Sequence, residues 1–106
     1  MTAPLVNTAA DGDTTAVVGA GTTGNTIIKA GSGTLARVLV TSVNGAAAIT
    51  IYDANGPASG SVTGTIIGVV PASATIGSIY SLGMPFENGI TVGGAATNGG
   101  LTISFH

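Results

Sequence analysis

The stretch from Thr34 to Ala54 limits what this chain can become more than any other. Thr34 to Val43 carries Val38, Val40 and Val43 with no apolar stripe at helical spacing, and Ile49-Thr50-Ile51-Tyr52-Asp53 alternates residue by residue. Period-two alternation puts apolar side chains on one face of a strand, whereas a helix needs them three and four apart. Between the two runs lies Asn44-Gly45, a dipeptide that accepts positive φ cheaply and favours a tight reversal. Two strands joined by a turn are the expectation.

The same reasoning divides the rest of the chain. Thr14–Val18 is β-branched enough for a first strand, and Gly19–Asn25 is a loop by composition. Thr26–Ala30 is a second strand closed by Gly31-Ser32-Gly33; Thr34–Val43 is the third and Ile49–Ala54 the fourth. Asn55–Gly60 is rich in turn residues, and Thr65–Val70 forms a fifth strand stopped by Pro71. Ala72–Gly77 has room for a helical turn, Ser78–Leu82 is a sixth strand, and Gly83-Met84-Pro85 turns the chain. Ile90–Val92 is a short seventh strand, Gly93–Gly100 a glycine-rich loop, and Leu101–Phe105 an eighth strand in strict alternation. About eight short strands without a convincing helix predict one all-β domain over 14–106, an antiparallel β-sandwich that is jelly-roll-like. An immunoglobulin-like sandwich is the alternative, because period-two patterns do not reveal connectivity. Met1–Asp13 has no period and contains Pro4, which predicts an extended N-terminal arm that frays or pairs with a neighbour.

Charge sets the functional expectations. Asp11, Asp13, Lys29, Arg37, Asp53 and Glu87 are the charged residues, 6% of 106, against about 25% in ordinary soluble domains. Thr, Ser, Asn, Gly and Ala must then fill the solvent-facing positions, and a surface so poor in charge is weakly defended against association. Coverage by partner subunits is expected. Two basic residues cannot neutralise a phosphate backbone, so nucleic acid is not an expected partner. No apolar run approaches the roughly 18–20 residues of a membrane helix, and Met1–Asp13 has neither the basic start nor the apolar block of a signal peptide.

No set of residues suggests an enzyme. With no cysteine and His106 as the single histidine, neither a thiolate metal site nor a nucleophile triad can be assembled. Asp11-Gly12-Asp13 lacks the further oxygens and closing Glu of a calcium loop. Gly19-Ala20-Gly21-Thr22-Thr23-Gly24 matches GxGxxG, but Thr26-Ile27-Ile28 after it points to a strand where a dinucleotide site needs a helix. Catalytic residues, metal ligands and cofactors are therefore expected to be none. Asp53 could be a buried acid, a cap for a turn or an exposed strand end; capping of backbone N–H groups in the following loop is favoured. Arg37 pairs across strands with Asp53 or Glu87, or anchors a subunit contact, where arginine is enriched. Tyr52, Tyr80, Phe86 and Phe105 are too dispersed to form a stacking platform for bases or sugars.

Several segments together resemble a family of small virion proteins of tailed bacteriophages. They are Thr26-Ile27-Ile28-Lys29-Ala30-Gly31-Ser32-Gly33-Thr34-Leu35, Ile49-Thr50-Ile51-Tyr52-Asp53, Ser78-Ile79-Tyr80 and Phe86-Glu87-Asn88-Gly89-Ile90-Thr91-Val92. The likeness spans Thr26 to His106 and leaves the arm unmatched. It implies a capsid decoration, or cement, protein, a structural part of the virion that binds the major capsid protein on the head surface after synthesis in the host cytoplasm. It further implies a homo-oligomer, a homotrimer at three-fold positions of the shell. A tail, fibre or spike adhesion module is the alternative within the virion; a non-viral module binding carbohydrate or protein is the alternative outside it.

Overall fold

The computed structural model describes residues 14–19, 24–42, 47–93 and 99–106. Eight strands run through them: β1 (Thr14–Val18), β2 (Thr26–Ala30), β3 (Gly33–Val40), β4 (Ile49–Asp53), β5 (Thr65–Val70), β6 (Ile79–Phe86), β7 (Gly89–Gly93) and β8 (Leu101–Phe105). They form two four-stranded antiparallel sheets, ordered β1-β8-β3-β6 and β2-β7-β4-β5. The first strand pairs with the last, and of the connections only β4 to β5 stays within a sheet. That order is a jelly roll. The immunoglobulin-like alternative is excluded, because its first two strands share a sheet whereas β1 and β2 lie in opposite ones.

The hairpin expected between the third and fourth strands does not exist. β3 belongs to one sheet and β4 to the other, and Asn44-Gly45, with Val43, lies outside the described residues. Local alternation marks strands and the breaks between them, but it does not choose partners. Here the apolar sides of the two strands, Leu35, Val38 and Val40 on one and Ile49 and Ile51 on the other, are buried in a single core cluster. A hairpin would have set them side by side in one sheet; the jelly roll gives them opposite layers of the sandwich.

Bulges keep the apolar residues in phase. Leu35 and Val38 are three apart, yet both are fully buried, because the register on β6 and on β8 shifts between Leu35 and Arg37. One extra residue, Ala36, resets which side chains face inward. On β6 the same shift takes in Leu82 and Gly83, the latter at φ 60°. Gly83-Met84-Pro85 therefore does not turn the chain, as its composition predicts, but continues β6 to Phe86. Proline is tolerated because β6 is an edge strand, where a missing N–H breaks no ladder. Nor is Ala72–Gly77 helical: it makes two tight turns, with Ser73 at φ 61° and Gly77 at φ 89°, pinned by buried Ala74. The arm expected over Met1–Asp13 lies outside the described residues.

Inner strand β7 is enclosed from both sides. Ile90 and Val92 enter the core, while Thr91 between them points to the outer face and is still 0% exposed. The connection from β4 to β5, residues 54–64, folds back over that face and seals it.

Candidate binding surfaces

Asp53 lies at one end of the sandwich, against the backbone of the β6–β7 turn. Asp53 Oδ1 accepts from the amides of Asn88 at 2.8 Å, Glu87 at 3.1 Å and Gly89 at 3.4 Å, and Oδ2 accepts from Glu87 at 3.1 Å. The Asn88 amide above all, assisted by Glu87 and Gly89, holds the carboxyl below its usual range against the opposing effect of burial. Asp53 does cap a turn, as expected. The turn lies some 35 residues away, however, and is not the loop that follows, so chain-local reasoning cannot find it. Gly89 sits at φ 147°, and a side chain there would run into the Lys29 carbonyl.

The other singled-out residues stay apart. Arg37 is exposed on the outer face of sheet β1-β8-β3-β6, where its cross-strand neighbours are Ser81 and Ser104, not Asp53 or Glu87. His106 continues β8, exchanging backbone hydrogen bonds with Thr34 at 2.6 and 2.9 Å. Gly19 and Gly24 are followed by β2 where a dinucleotide site needs a helix. Among the described residues no three His, Cys, Asp or Glu side chains gather as metal ligands, and no helix is long and apolar enough to cross a membrane. Asp11-Gly12-Asp13 lies outside the described residues.

Two outer faces remain as candidates for binding. On sheet β1-β8-β3-β6 the registers line up Val17, Thr102, Leu39 and Ile79 in one row, with Val17 72% and Ile79 61% exposed. The next row reads Thr15, Ser104, Arg37 and Ser81. Arg37 is the single charge in either row, and the face has no covering loop among the described residues.

The outer face of sheet β2-β7-β4-β5 is built differently. Its central row is Ile27, Thr91, Tyr52 and Ile66. Thr91 Oγ1 donates to the Ala54 carbonyl at 2.8 Å and accepts from the Gly56 amide at 3.0 Å. Asn25 holds the far end of the covering loop: Nδ2 donates to the carbonyls of Gly60 at 2.9 Å and Pro57 at 3.1 Å, and its amide to Ala58 at 2.8 Å. Beside this loop a groove of about 560 Å³ opens between Thr50, Tyr52 and Gly93 on the sheet and Asn25, Ser61 and Val62 opposite. None of the residues lining it is Asp, Glu, Lys or Arg. The Tyr52 ring lies so close over Gly93 that a Cβ there would come within 3.2 Å of it. Neither Asn25 nor Thr91 is signalled by its sequence neighbours, since their partners are 32–37 residues distant.

No family model, curated protein or solved structure matches this chain.

Proposed function

We propose that this protein is a structural component of a tailed-bacteriophage virion, a decoration protein that binds the major capsid protein and stiffens the head shell beside copies of itself. The observation that carries the reading is the outer face of sheet β1-β8-β3-β6. Val17, Leu39 and Ile79 form an apolar row with one nearby charge, Arg37, on a sheet face no described loop covers. Apolar area with arginine as its one charged residue type is a composition suited to burial against another protein. The jelly roll itself hosts many functions and adds little. The strand-and-turn likeness to small virion proteins points the same way, and trimers at three-fold positions are the arrangement it implies. No acid–base or nucleophile set competes with a structural role.

Cryo-electron microscopy of virions that carry the protein tests this. The expected result is density for a 10.0 kDa sandwich at repeated sites on the head; density confined to the tail would overturn it.

A second reading rests on the groove beside Tyr52. Its uncharged wall, with one aromatic ring and the polar side chains of Thr50, Asn25 and Ser61, suits a neutral hydroxylated ligand such as a sugar. That would make the protein an adhesion module of a tail, fibre or spike. Glycan binding by the isolated protein that disappears in Tyr52→Ala would favour it.

A further inference from the structure

Strands β1, β6, β2 and β5 are the four sheet edges. Exposed edges offer unpaired N–H and C=O groups, and proteins blunt them with bulges, prolines, charges or covering segments. Three of these edges are blunted. β6 carries Pro85 and a register shift at Gly83. β2 carries Lys29 and a shift between Ile27 and Lys29. β5 is shifted opposite Ile51 and Tyr52, and it packs against β6 at the flank of the sandwich.

Among the described residues β1 has none of these devices. It pairs with β8 through five consecutive residues without a shift and contains no proline, glycine or charge. Val17 on it is the most exposed of the large apolar residues described.

We propose that β1 is a strand-pairing site for a second copy of this chain, with β1 of one protomer antiparallel to β1 of its partner about a two-fold axis at Ala16. The two sheets then join into one of eight strands. The register follows from the symmetry: Thr14 faces Val18 of the partner subunit, Thr15 faces Val17 of the partner subunit, and Ala16 faces its own counterpart. Thr15 and Val17 both lie on the outer face, so the seam is lined by β-branched pairs, which pack well across antiparallel strands. Charge selects a copy as the occupant. A two-fold seam brings each charge near its own duplicate, and β1 has none; the nearest along its rows is Arg37, two strands inward.

The contact is short. Five paired residues bury well under the roughly 800 Å² per partner of a stable complex, so the dimer is weak in solution and dependent on concentration. The inference rests on the reading that this chain assembles with copies of itself. On a shell, a two-fold seam of this kind links neighbouring trimers and not the subunits within one.

Sedimentation velocity over a concentration series, with circular dichroism to confirm folding, tests the seam. The wild-type protein is expected to pass from monomer to dimer between about 10 µM and 1 mM, in the range of weak association. Thr15→Lys with Val17→Lys sets introduced lysines opposite one another and should weaken the dimer at least about tenfold, the effect of roughly 1.4 kcal/mol. Thr15→Lys with Val17→Glu sets each lysine opposite a glutamate of the copy and should restore it. A wild-type protein monomeric throughout, a double-lysine variant that dimerises unchanged, or a lysine–glutamate variant that stays monomeric would each overturn the proposal. Failure of the decoration reading is seen separately, as absence from the head in virion images.

Discussion

Thr91 and Thr102 occupy matching places, each on the outer face of the strand next to a sheet edge, yet one is sealed and the other half-exposed. Around Thr91 the β4–β5 loop has folded down, and the hydroxyl holds two backbone groups of that loop at 3.0 Å or less. Around Thr102 the neighbours are Val17 and Leu39, with no described loop above them. The same residue type is thus a structural anchor on one face and part of an exposed, mostly apolar row on the other. What separates them is whether buried backbone polar groups depend on the side chain, since leaving such groups unpaired costs more than a hydrogen bond returns.

The largest expected effect breaks the covered face. Thr91→Val keeps the shape but orphans the Ala54 carbonyl and the Gly56 amide, and should cost about 2–3 kcal/mol in denaturant unfolding. An unchanged midpoint would mean that the loop does not depend on Thr91. Next comes the charged clamp at the end of the same sheet, because hydrogen bonds to an ionised carboxylate exceed neutral ones. Asp53 has a lowered folded pKa, so its contribution is complete above the unfolded value of about 3.9 and is lost as the pH falls through the folded value. Stability measured from pH 6 down to pH 2 should show that acid-side loss, and Asp53→Asn should flatten it.

Asn25→Ala should cost less, about 1 kcal/mol, because its two side-chain bonds are exposed and water replaces them. Proteolysis within residues 57–60 should nevertheless quicken as the loop is released. The smallest stability effects belong to the outer face of sheet β1-β8-β3-β6. Thr102→Val, or Val17→Thr with Ile79→Thr, should stay within about 0.5 kcal/mol of wild type, as for other surface substitutions. The Val17 and Ile79 pair should instead lower occupancy on capsids in a co-sedimentation assay. A large loss of stability there would show that this face serves folding and not docking.

Strand positions were legible because they depend on neighbours in the chain. Thr14–Val18, Thr26–Ala30, Thr65–Val70 and Leu101–Phe105 coincide with strands of the structure. Gly83-Met84-Pro85 misled for an instructive reason: glycine and proline mark turns, but at a bulged sheet edge they also mark a strand that must not be joined. The Asn44-Gly45 reversal misled about pairing, because a turn signal does not say which sheet receives the next strand. Of the surfaces, only the shortage of charge could be read in advance. The covering loop could not, since Asn25 and Thr91 find their partners more than 30 residues away.

By itself the sequence determined an all-β chain of about eight short strands, with no cysteine, a single histidine and charged residues at only 6% of positions. Those properties follow from composition and from side-chain alternation, which act over two to ten residues. Only the tertiary structure decided that β1 pairs with β8, that Asp53 clamps a distant turn, that the β4–β5 loop covers one outer face, and that β1 lies at a sheet edge. Each of those depends on which long-range pairing buries the apolar rows of both sheets at once, and a period-two pattern is satisfied equally well by many pairings.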